Sequence, residues 1–234
     1  VPAADESAAA PAASAIDLAA AMEERIVGDQ NAPIRIMEFA SLTCGHCAAF
    51  HENTFAKLKE NYLDTGKAYL VYSDFPLNAP ALHAAMVAHC LPKDRYFDFV
   101  GALFHNQDKW AFEPNYLPFL QNEALSRGMT EEAFKSCLKN EDLQKALLER
   151  MKTAQAQWNV NATPTFVINN KQTVNGAMSY EAFDQLLRNL PKDEAAPAAP
   201  AASPDAAAQA PANPEAPAPD GDTPPNDEGE GLPE

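Results

Sequence analysis

Two cysteines, Cys44 and Cys47, stand two residues apart with Gly45 and His46 between them. One thiol of such a pair can attack while the other resolves, which suits thiol–disulfide exchange. An apolar run over 34–40 precedes the pair, and a helix-forming segment over 48–62 follows at once. This order puts the dithiol just past a strand, at the start of a helix. Unpaired N–H groups and partial positive charge there stabilise a thiolate. Two other chemistries also fit the pair. Half of a zinc site is one, but zinc usually takes four ligands from two such knuckles. Cys90 and Cys137 are isolated, with no partner two to four residues away. A structural disulfide is the other, but a two-residue loop is a tight bridge and strained bridges are labile. His51, His83, His89 and His105 show no metal-ligand spacing, so no metal is expected. His51, one turn past Cys47, is expected to face solvent.

The elements that must hold the pair are legible. Ile26 and Val27 read as a short edge strand. The 34–40 run is β-branched and aromatic enough for a buried central strand, and 67–73 reads as a second. From Pro80 to Trp158 the chain reads helical. Segments are expected over 81–88, 93–104 and 116–127, the last stopped by Gly128. Thr130 and Asn140 open two more, with acids in their first turns, the second running to about Gln157. Strand character returns at 165–169, turns at Asn170 and Lys171, and pairs back over 172–174 as a hairpin. Ser179 caps a last helix carrying Phe183, Leu186, Leu187 and Leu190. Trp110, Phe112, Phe97 and Phe99 read as core. With the helical block removed the order is β-α-β-β-β-α, an α/β thioredoxin fold with an inserted helical domain. The crossover rule makes its first two main strands parallel.

The ends differ in composition. Residues 1–15 are mostly Ala, Pro and Ser, and 191–234 hold ten of the 33 acids against one Lys. Such segments bury too little apolar surface to offset the entropy of ordering. The expected organisation is a disordered Ala/Pro-rich N-terminus (1–15), a first thioredoxin part (16–78), the inserted helical domain (79–158), a second thioredoxin part (159–190) and a disordered acidic tail (191–234). The tail supplies nine of the sixteen net negative charges, so the low pI describes a tail and not a binding face. No basic patch is visible, and no nucleic-acid partner is expected. Nothing approaches the roughly 18 apolar residues of a membrane span. The start at Val1, without a charged segment ahead of an apolar one, fits a mature chain whose signal peptide is removed, or a trimmed one.

At this point the chain resembles the DsbA-like disulfide oxidoreductases of bacterial envelopes. Glu38-Phe39 followed by Cys44-Gly45-His46-Cys47 looks like that family's strand-to-Cys-x-x-Cys segment. Val160-Asn161-Ala162-Thr163-Pro164-Thr165-Phe166-Val167-Ile168 looks like its cis-proline segment. The resemblance covers about residues 20–190 and leaves out the tail. Cys90 and Cys137 are absent from the enterobacterial prototype and are similar to an α-proteobacterial branch with a second, non-catalytic disulfide.

The resemblance implies roles. Cys44 is the nucleophile, and its disulfide with Cys47 is attacked by a substrate thiolate. Cys47, one turn inward, is the resolving thiol. Gly45 and His46 tune the couple, with His46 able to carry a cation near the sulfur or simply to be solvated. Pro164 is expected cis opposite Cys44, with the Thr163 backbone pairing an extended substrate. An ordinary trans turn is the alternative. Glu38, the only acid in its strand, matches a buried acid near the second cysteine, and a proton-transfer role toward Cys47 is expected of it; a carboxylate snorkelling to solvent is the alternative. Cys90 and Cys137 are expected to form a structural disulfide, with two buried free thiols as the alternative.

Three functions follow. The first is a periplasmic thiol oxidase that gives disulfides to unfolded or reduced exported proteins. It would work as a monomer without a cofactor, reoxidised by a quinone-linked DsbB-like membrane partner. The second is a disulfide isomerase or reductase, since Gly-His occurs in eukaryotic isomerases and Thr before the cis-proline is common in isomerases. The third is a non-enzymatic chaperone or metal-binding module, which the intact Cys-x-x-Cys and Thr-Pro oppose.

Overall fold

In the computed structural model, residues 16–191 are described. The expectations for 1–15, and for the tail beyond Pro191, lie outside the described residues. Five strands form one mixed sheet in the order β1-β3-β2-β4-β5. They are β1 (Arg25–Gly28), β2 (Ile34–Ala40), β3 (Ala68–Asp74), β4 (Thr165–Ile168) and β5 (Gln172–Asn175). β2 and β3 run parallel, as the crossover rule requires, and the other pairs are antiparallel. The apolar run of β2 is thus the central strand, and β1 is an edge. The β4–β5 hairpin turns through Asn169 and Asn170, both at positive φ, a conformation that Asn tolerates better than most residues. Asn169 therefore belongs to the turn and not to the strand expected through it. Arg35 holds this turn, its backbone N–H donating to Asn169 Oδ1 and its guanidinium to Asn170 Oδ1 and Glu24.

One helix run carries the chain from the end of β2 back to β3. It begins as α2 (Gly45–Phe50), three residues before the expected start, with Cys44 as its N-cap. It then widens into a π-helical turn at His51–Phe55, returns to α-helix as α3 (Ala56–Leu58) and widens again at Lys59–Leu63. Such wide turns occur mostly as short bulges in α-helices, often at functional sites.

The helical block follows β3: α4 (Ala79–Cys90), α5 (Tyr96–His105), α6 (Leu117–Leu125), α7 (Glu131–Leu138) and α8 (Glu141–Trp158). The last helix is α9 (Tyr180–Arg188). Asn78, Thr130, Asn140 and Ser179 each accept a hydrogen bond from the backbone three residues on, satisfying an otherwise orphaned N–H. Gly128, at φ +90°, ends the α6 segment. A short helix that the sequence does not announce, α1 (Leu18–Ala21), packs near Leu143 and Leu147 of α8.

The block is tied to the sheet by buried polar groups. Asp74, at the end of β3, accepts from Tyr96 Oη at 2.8 Å and meets His89 Nε2 at 2.8 Å. His89 reaches the Ala21 carbonyl with its other nitrogen, and the Arg25 guanidinium lies 4.8 Å from the Tyr96 ring centroid. A disulfide joins Cys90, at the end of α4, to Cys137 in α7. Trp110 and Phe99 are fully buried as expected, and Phe97 is half-buried. Phe112 departs from the core reading. It is 71% exposed, because it sits in the loop after α5 and not on a helix face.

Candidate active site

The redox pair sits where β2 hands the chain to α2. The Cys44 backbone closes a turn onto Ser41, and its sulfur then caps the helix by accepting from the Cys47 N–H at 3.4 Å. Both cysteines are free thiols here, Cys44 partly exposed and Cys47 buried. Their acidities are displaced in opposite directions. Cys44 is lowered to about 5. The Cys47 thiol's hydrogen bond is the largest cause, opposed by partial burial and helped by Thr163 and by the backbone N–H groups of Cys47 and His46. Cys47 is pushed up far above the ordinary thiol range. Burial is the main cause, followed by the hydrogen bond and charge of Cys44 and then the charge of Glu38. One thiol is thus a ready nucleophile at neutral pH, and the other holds its proton.

Thr163 and Pro164 lie across from this centre at the start of β4, joined by a cis peptide bond. The Thr163 carbonyl is 3.3 Å from Cys44 Sγ. An extended chain lying along this carbonyl would bring its own sulfur within reach of Cys44. His46 is exposed on the first turn of α2.

Glu38 does not snorkel. Its residue is fully buried in β2, and Oε1 meets His51 Nε2 at 3.0 Å. Oε2 has no hydrogen-bond partner among the described residues, and neither has the hydroxyl of Tyr72, which stands beside Glu38 in the β2–β3 register. A carboxyl in such a place is costly unless partnered.

The expectation for His51 is corrected. Its side chain is only 9% exposed and turns inward onto Glu38. Phe104 of α5 stacks on the ring at 4.4 Å between centroids, and Phe55 packs at 4.9 Å. Helical spacing places His51 one turn past Cys47; the stack and the acid fix which way it faces.

Gln107 went unread in the sequence. Its buried side-chain amide donates to the Leu42 carbonyl at 2.8 Å and to the Cys44 carbonyl at 3.1 Å. It pins the active-site loop to the helical block from 65 residues away. Nothing in its polar surroundings, Asn106, Asp108 and Lys109, sets it apart. Among the described residues no three His, Cys, Asp or Glu side chains gather as a metal site, and no helix is long and apolar enough to cross a membrane.

Comparison with known proteins agrees with this geometry. The thioredoxin family model matches residues 20–189. A protein of Rickettsia typhi named as a protein-disulfide oxidoreductase is 29% identical over 174 residues, covering 73% of this chain. The match spans 64% of that relative's own length. The crystal structure of Wolbachia pipientis alpha-DsbA1 superposes with a TM-score of 0.67 at 32% identity, covering 72% of this chain and 91% of that one. BdbD of Bacillus subtilis, at 21% identity and a TM-score of 0.63, shares the fold. The sheet, the helical insertion between β3 and β4 and these matches agree: the chain belongs to the thioredoxin family, within its DsbA-like branch.

Proposed function

We propose that this chain is a thiol:disulfide oxidase that passes the Cys44–Cys47 disulfide to reduced proteins exported to the periplasm. The opposed acidities of the two thiols are the observation that carries this reading. A stabilised Cys44 thiolate favours the reduced enzyme, which makes the disulfide a strong oxidant. In the forward step a substrate thiolate attacks Cys44 Sγ, the S–S bond breaks and Cys47 leaves with the electron pair. A second substrate thiolate then displaces Cys44 from the mixed disulfide. The substrate departs oxidised, and the enzyme keeps a Cys44 thiolate and a protonated Cys47. Glu38 supplies that proton, Thr163 and Pro164 hold the incoming chain, and His46 adds local charge.

Unfolded substrates suit the surroundings. Leu77 is 54% exposed and Phe112 is 71% exposed, and both lie on segments tethered to the active-site loop, through Ser41 and Gln107 respectively. Each offers an apolar contact to an unfolded chain. No cofactor takes part, a monomer suffices, and a quinone-linked DsbB-like membrane protein would restore the disulfide. The Cys90–Cys137 bond serves stability. The test is oxidative refolding of a reduced, denatured protein by the stoichiometric oxidised chain. Rapid disulfide transfer supports the oxidase. Transfer that is slow, coupled with rapid repair of a scrambled substrate, would instead make the chain an isomerase.

A further inference from the structure

Behind the redox pair lies a cleft that disulfide exchange does not by itself require. Its volume is about 550 Å³, and it opens between β1, the His51 turn and α5. Ile26, Phe55, Phe97, Val100 and Phe104 give it apolar walls. His51 is the lining residue that also touches the buried redox machinery, through Glu38. Its Nδ1 makes no hydrogen bond among the described residues. The stacked Phe104 ring holds the imidazole flat between the two environments.

Cys47 and Glu38 are both fully buried. Yet a proton must reach Cys47 each time the disulfide is reduced and leave it each time the disulfide is remade. Glu38 can give one proton but is then sealed from the water that would replace it. We propose that His51 is a proton relay linking the Glu38–Cys47 pair to solvent in the cleft. This rests on the exchange reading above. When the S–S bond breaks, Cys47 Sγ takes the proton of Glu38. His51 Nε2–H then reprotonates the carboxylate, and Nδ1 recovers a proton from solvent in the cleft. The two electrons come from two substrate thiols, which become a disulfide. Of their two protons one replaces that taken by Cys47, and one stays in solvent because Cys44 remains a thiolate. Reoxidation runs the relay backwards. An imidazole passes a proton in at one nitrogen and out at the other, which a carboxylate or amide here could not do near neutrality.

The other titratable groups around the ring are few. Tyr72 of β3 lies 6.0 Å away between centroids, and β1 contributes only Ile26, Val27 and Gly28 to the cleft. At the cleft His105 of α5 pairs with Glu52 at 4.0 Å, and Lys59 pairs with Asp64 at 2.6 Å. Lys59 and Asp64 offset each other, while the Glu52 carboxylate is balanced only when His105 carries a proton.

The test is the rate at which dithiothreitol reduces the Cys44–Cys47 disulfide of the full chain, read by quenched alkylation. His51→Gln keeps size and polarity but cannot relay, and a lost general acid–base group costs on the order of 100-fold, less whatever leaks by other paths. A loss of about tenfold is therefore the expected floor. Free imidazole should restore the rate of His51→Ala through the open cleft. Gly101→Leu gives an independent arm. Gly101 lines the cleft and a Cβ there meets nothing within 4 Å, so there is room for a larger side chain to enter the space. It should slow exchange too, and it decides the matter should the His51 variants not fold. Equal rates in wild type, His51→Gln and Gly101→Leu, or no rescue by imidazole, would overturn the relay alone. A wild-type pair that does not exchange at all would overturn the oxidase reading with it.

Discussion

Cys44 and Cys47 are the same chemical group three positions apart, and their environments make them opposites. The sign of the resulting pH dependence is fixed. Cys44 is lowered from an ordinary value of 9.0 to about 5. The extra stability of the reduced chain is thus complete above about pH 9, shrinks as pH falls and is gone below about pH 5. Thiolate absorbance at Cys44 should titrate with a midpoint near 5, and the thermal advantage of reduced over oxidised chain should fall over the same window. A midpoint near 9 would mean that the cap and the Cys47 thiol do nothing for the sulfur. Glu38→Gln should leave that midpoint close to its place and slow exchange about 100-fold, the lower end of acid–base effects. Equal stopped-flow exchange rates for the two chains would remove Glu38 from the mechanism. The cysteines, Glu38 and Thr163-Pro164 were legible because each carries a local pattern. His51 was legible as a residue but not as a direction, because Phe104 from another element decides where its ring lies. Gln107 was not legible, because its partners are carbonyls that only the fold brings near.

At the scale of elements, the caps are the most readable feature and also the easiest to test. Thr130 accepts from the Ala133 N–H at 3.1 Å, and Thr130→Ala should cost about 1 kcal/mol of stability in urea without altering exchange at Cys44. Positions such as Asn140 and Ser179 show why: a side-chain oxygen followed by a helical run leaves little else for the backbone to do. The π-helical turns at His51–Phe55 and Lys59–Leu63 have no such signature, since widening a turn depends on what packs against it. The helical block carries its own cross-link. Cys90 and Cys137 close a loop of 47 residues, for which chain-entropy arguments give about 4 kcal/mol. Replacing both by serine should lower the denaturation midpoint by a corresponding amount, with the Cys44–Cys47 potential little changed. A large shift in potential would show that the block positions the active-site loop through this bond as well as through Gln107.

For the whole molecule, a thioredoxin fold brings the buried acid and the dithiol from one stretch of chain, 38–47, against the Thr163 carbonyl from another. The helical insertion then closes over one side. Short apolar runs and the handedness of the crossover made the edge strand β1, the central β2, its parallel pairing with β3 and the β4–β5 hairpin readable from sequence. The packing of the block against the sheet was not readable, because Asp74, His89, Tyr96 and Arg25 meet only in three dimensions. The direction of electron flow is a property of the assembled centre, and it is set by how strongly the fold favours a Cys44 thiolate. It is read most directly from the equilibrium reduction potential of Cys44–Cys47 against glutathione, by alkylation and mass. A donor of disulfides predicts a value of about −120 to −180 mV. A value near about −270 mV, typical of a thioredoxin-type reductant, would contradict it.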